Sequence, residues 1–145
     1  MAGFTLQTTV DLPYAETVER VRAGLGDQGF GVLTEIDLAA TLKAKLDVDL
    51  APEVILGACR PPLAYAAVQA DPSVAALLPC NVVVRSVGES STVVEAFDPA
   101  AMMAMSDSDA LEEMAADAGR RIRAMLDGLG EPSPATGEET EPRRG

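Results

Sequence analysis

The chain has 145 residues, of which 48% are hydrophobic and only 3% aromatic, and it carries a formal net charge of −12. That length supports one domain with its own core. The charge repels a phosphate backbone or an acidic membrane and the scarcity of aromatic rings leaves little for bases to stack on, so nucleic acid and membrane are not expected as partners.

Phe4, Leu6, Thr8 and Val10 alternate with Thr5, Gln7 and Thr9, which predicts a strand over residues 4–10 with one buried face. Asp11 and Pro13 then open a segment in which Tyr14, Val18, Val21 and Leu25 recur at helical spacing. A helix is expected over 13–25, ended by Gly24, Gly26 and Gly29. Residues 30–36 read as a second strand. Asp37 is placed to cap a short helix whose Leu38, Leu42 and Leu46 form one stripe.

The apolar run 53–58 reads as a third strand. Pro61 or Pro62 starts another helix, with Leu63, Ala66, Ala67 and Ala70 as a flat packing face, and Asp71-Pro72 stops it. Residues 80–87 and 92–97 flank Gly88-Glu89-Ser90-Ser91, the sequence of a hairpin. A long helix is expected from Ser106 to about Gly128, with Leu111, Met114, Ala118, Ile122, Met125 and Leu129 as its buried stripe. Acidic residues crowd its start and arginines its end, in keeping with the helix dipole. These elements make an α+β domain over residues 1–129. Residues 130–145, rich in Pro, Glu and Thr, read as a disordered polar tail.

Gly24-Leu25-Gly26-Asp27-Gln28-Gly29 satisfies G-x-G-x-x-G, but it follows a helix and precedes a strand. A dinucleotide site needs the reverse order, so these glycines read as a turn. Glu35, Asp37, Glu95 and Asp98 lie near strand ends, and the sequence brings no two of them to one site. The chain has no histidine, and its cysteines match no compact zinc pattern, so no metal centre is expected. No basic start followed by an apolar run and cleavage site is present, which points to a cytoplasmic protein with free thiols.

The residues most open to chemistry are Cys59, at a strand end just before Pro61, and Cys80, just after Pro79. A helix N-terminus and Arg60 beside Cys59 favour a thiolate. Cysteine is equally at home as a small buried hydrophobe. Met102, Met103 and Met105 after Asp98-Pro99 form a soft cluster suited to filling a core or an interface.

The runs Gly29–Ile36, Thr41-Leu42-Lys43, Ile55–Cys59 with Pro61 and Ala64, and Leu78-Pro79-Cys80-Asn81-Val82 with Asp98-Pro99 and Met102 resemble the DUF302 family over residues 4 to about 128. The resemblance implies a fold like that of the TATA-box-binding protein, β-α-β(4)-α: an antiparallel sheet of four to five strands, helices on one face and a long C-terminal helix. It also implies a homodimer, and it marks Cys59, Pro61, Pro79, Cys80, Asn81, Asp98 and Met102, with Arg60 departing from the pattern. The functional expectation is a homodimeric binding or sensing module whose Cys59, Arg60, Cys80, Asn81 and Met102 surround a small apolar molecule, a haem or a metal-containing ligand. No resident cofactor is identified. The competing readings are an interaction domain with purely structural cysteines and a thiol redox enzyme using Cys59 and Cys80.

Overall fold

The computed structural model describes residues 3–103, 105 and 109–130. Strands β1 (Thr5–Val10), β2 (Gly31–Asp37), β3 (Glu53–Cys59), β4 (Cys80–Gly88) and β5 (Ser91–Phe97) form one sheet in the order β1-β5-β4-β3-β2. Every neighbouring pair is antiparallel. The helices are α1 (Tyr14–Asp27), α2 (Leu38–Leu46), α3 (Pro61–Ala70), α4 (Pro99–Met103) and α5 (Asp109–Gly128), with a 3-10 turn over Pro72–Leu77. The result is the expected β-α-β(4)-α plan, with shorter helices set into the connections.

Side chains alternate between the two faces of a strand. The registers therefore put Leu56, Val82 and Ala96 in one row across three strands, with Val54, Val84 and Val94 in the next. All six are buried, and Val21 and Leu25 of α1 and Ile122, Met125 and Leu126 of α5 close over them. Fully burying aliphatic side chains of this kind contributes about 1.5–3 kcal/mol each. The edge strand β2 is exposed along most of its length, and a bulge at Leu33 interrupts its pairing with β3.

Helix α1 continues through Gly24 and Gly26 to Asp27, further than the glycines suggest. Packing accounts for Gly24: a Cβ there would lie 2.9 Å from Met125 Cγ, so α1 and α5 approach closely at that point. The turn is made by Gly29, whose φ of +86° suits only glycine. Asp37 caps α2 as expected, its carboxylate accepting from the Ala40 N–H at 2.9 Å. The leucine stripe of α2 is not buried, however, and none of its residues belongs to the core.

Helix α5 begins at Asp109, and Ser106 lies outside the described residues, as do 131–145, where the polar tail was expected. Among the described residues no helix is long and apolar enough to cross a membrane.

Candidate functional site

At 20 residues α5 is about 30 Å long. Its two halves pack against different partners. Its C-terminal half packs on the strands through Ile122, Met125 and Leu126. Its N-terminal half meets a second, smaller cluster instead: Leu111 packs with Ala67 of α3 and Val74 of the 3-10 turn, flanked by Leu78 and Met114. Two cores built on different layers leave a seam, and a cavity of about 70 Å³ lies in it. Ala58 and Cys80 line its sheet side, Leu63 and Ala64 of α3 another, and Met114 and Ala118 of α5 the third.

Both cysteines reach this cavity, and both are free thiols. They are not cross-strand partners, because the β3–β4 register sets Ala58, not Cys59, opposite Cys80. Neither is poised as a thiolate. Burial pushes the Cys59 thiol up from its ordinary value, even though the residue immediately precedes α3 and its neighbour is Arg60. Burial and the nearby Asp98 carboxylate push Cys80 up to about 11. Its Sγ donates to the Phe97 carbonyl at 3.7 Å, which further favours the protonated form. The electrostatic help that the sequence suggests for Cys59 is directed elsewhere, since Arg60 turns to Asp117 on α5.

Among the described residues Arg60 is the only charged one lining the cavity, and it stands at the edge of a cationic cluster. Asp117 Oδ2 is 3.0 Å from Arg121 Nε and 3.7 Å from Arg60 Nη1, while its Oδ1 is 3.4 Å from Arg120 Nη2. Arg121 also donates to the Gln28 carbonyl at 2.9 Å. The hydrogen bond from Arg121, aided by the charges of Arg60 and Arg120, holds the Asp117 carboxyl below its ordinary value.

A second depression, a groove of about 540 Å³, opens on the reverse face of the sheet between Phe4, Pro79, Asn81, Val83, Phe97 and Met105. Among the described residues its one charged lining residue is Glu95, which is 2.9 Å from Arg85 and accepts from the Thr5 hydroxyl at 2.7 Å. Those contacts, the Thr5 bond first, hold Glu95 below its ordinary value against the opposing effect of burial.

The residues gathered into one site from sequence are thus divided between two. Cys59, Arg60 and Cys80 line the inner cavity, whereas Asn81, next to Cys80 on an alternating strand, lines the outer groove. Met102 lies in α4, and its side chain is outside the described residues. Among the described side chains, the methionine that reaches the cavity is Met114, which the sequence offered as part of a core stripe. Leu111 and Val74 were likewise not legible as site residues. Among the described residues no group of three or more His, Cys, Asp or Glu side chains is arranged to hold a metal. Glu35 pairs with Arg22 and Asp37 caps α2, so the strand-end carboxylates do not converge.

The model of the family described as "Domain of unknown function DUF302" matches residues 6–129. A crystal structure of an uncharacterized conserved protein DUF302 from Bacillus stearothermophilus superposes with a TM-score of 0.80 at 32% identity, covering 90% of this chain and 100% of that one. No curated protein matches the chain.

Proposed function

The chain belongs to the DUF302 family, and from that membership and the geometry of the seam we propose a binding module that takes a small apolar molecule into the inner cavity. The observation that carries this reading is the lining: aliphatic, methionine and thiol groups, with one ionised side chain at the edge. An apolar cavity stays dry and gains stability when an apolar guest fills it. Its volume of about 70 Å³ accommodates about two or three methylene-sized groups, roughly half of what a benzene-binding cavity offers. A short hydrocarbon fits that space, and a haem does not. Cys59 and Cys80 contribute as soft packing surface, and their raised thiols weigh against the redox reading. Free thiols suit a reducing compartment, and we place the module in the cytoplasm.

The test is thermal unfolding of the purified protein with and without 1-hexanol, alongside an Ala118→Leu variant that fills the cavity. The wild type gains stability on adding the alcohol and the variant does not. An equal response from both proteins removes the reading.

The homodimer enters as a second component of the proposal, through the outer groove. A chain of net charge −12 resists meeting its own copy. In this groove the Glu95 charge is neutralised by Arg85, while Phe4 and Met105 remain exposed beside it. Two like-charged copies can meet there on apolar surface without opposing charges. Val83→Glu on that face converts a dimer to a monomer in light scattering, and an unchanged mass removes this component.

A further inference from the structure

We propose that the guest of the inner cavity is a short aliphatic carboxylate, its chain in the cavity and its head group on the Arg60 guanidinium at the mouth. The inference rests on the cavity reading above and adds the charge of the ligand to it.

Among the described residues the mouth carries more cation than its one anion can satisfy. Arg60, Arg120 and Arg121 all converge on the single carboxylate of Asp117. Arg121 is well served, with one bond to Asp117 and another to a main-chain carbonyl. Arg60 is not: its 3.7 Å approach to Oδ2 is too long for a hydrogen bond, on an oxygen that Arg121 already occupies at 3.0 Å. In a protein whose formal charge is −12, three arginines around one aspartate make a local positive focus. Such a focus draws an anion and orients it.

Arg60 is also held in place for the task. Its side chain is 25% exposed, and a Cβ on Gly29 would lie 3.2 Å from its Nε and 3.7 Å from Arg121 Nη1. Both guanidinium groups are therefore gathered over the one residue of that turn without a side chain. A partly desolvated guanidinium presents a planar fork that matches a carboxylate.

The helix start argues for carboxylate over phosphate. Phosphate sites at helix N-termini use the free N–H groups of the first turn. Here α3 begins with Pro61 and Pro62, which have no N–H to give. That leaves the single N–H of Leu63 in the first turn, too few for a phosphate cradle, and puts the guanidinium of Arg60 in the leading role, as one guanidinium holds one carboxylate. The cavity of about 70 Å³ takes roughly the last two or three carbons of a chain, and the remaining carbons carry the head group out to Arg60 at the mouth, which makes hexanoate the probe of choice.

Calorimetric titration of the full chain with hexanoate, 1-hexanol and hexyl phosphate separates the possibilities. Wild type binds hexanoate about tenfold more tightly than 1-hexanol, the scale of a charge-assisted hydrogen bond. Arg60→Gln abolishes that preference and keeps the affinity for 1-hexanol, which also reports that the variant is folded. Asp117→Asn, which removes the internal competitor for the arginines, strengthens hexanoate binding. Equal affinity for acid and alcohol in the wild type overturns the proposal and leaves the cavity reading standing. So does a preference that survives Arg60→Gln, and so does tighter binding of hexyl phosphate. Binding of none of the three overturns both.

Discussion

Removing the competing thiol by Cys59→Ser leaves Cys80 as the chain's only cysteine and lets its chemistry be measured alone. The structure surrounds Cys80 with three influences of one sign: burial, the Asp98 carboxylate, and the Phe97 carbonyl that accepts from the S–H. With the thiol pushed up to about 11, the thiolate fraction at pH 7 is about 0.01%, against about 3% for an unperturbed cysteine near 8.5. Because the thiolate is the nucleophile, alkylation by iodoacetamide should be slower than that of a free cysteine by about 300-fold from ionisation alone. The rate, followed by mass spectrometry, should climb about tenfold per pH unit from 7 to 10 with no plateau. A stability effect accompanies it. The folded-state value lies above the unfolded one, so the contribution is fully present below about pH 8.5 and is lost as pH rises from there through about 11. About two and a half units correspond to about 3.4 kcal/mol, read as the pH-dependent change in the urea-unfolding difference between the Cys59→Ser protein and its Cys80→Ala derivative. An alkylation rate that levels off around pH 8.5 would refute the reasoning and revive Cys80 as a redox group.

Three further substitutions probe the frame around the site. Gly57→Ala places a Cβ against Thr34 Oγ1 and 2.8 Å from Pro79 Cγ; it should cost about 2 kcal/mol by overpacking in chemical denaturation. Thr92→Val removes a fully buried hydroxyl that donates to the Leu12 carbonyl at 2.8 Å, with an expected loss of about 1 kcal/mol by the same assay. Asp37→Ala removes the cap of α2, worth about 1 kcal/mol. Since no residue of α2 is buried, the effect should appear as faster hydrogen exchange over residues 38–46 and not as a lower global stability.

The sheet was legible because its rows are patterned: Leu6, Thr8 and Val10 alternate as one-sided strands do, and the hairpin between β4 and β5 announces itself in Gly88-Glu89-Ser90-Ser91. Asp37 was legible as a cap because a short acceptor before a leucine stripe satisfies an orphan N–H. The site was half legible. Cys59, Arg60 and Cys80 do share a cavity, whereas Asn81 falls on the opposite face of β4 from Cys80, a separation that the alternation of a strand over 80–87 already implied. The direction taken by Arg60 was hidden, since Asp117 is far away in sequence and near only once α5 has packed. The 3-10 turn escaped because Asp71-Pro72 reads only as a stop, although Val74 behind it is almost fully buried. Most of the cavity comes from such long-range meetings of ordinary apolar residues, which leave no local mark.

The most direct measurement is a methyl-detected NMR titration of the protein with 1-hexanol. The account predicts saturable shifts at Met114, Leu111, Val74 and Leu63, which line the inner cavity, and still resonances at Val83 and Met105 in the outer groove. Shifts confined to the outer groove, or none that saturate, would contradict it.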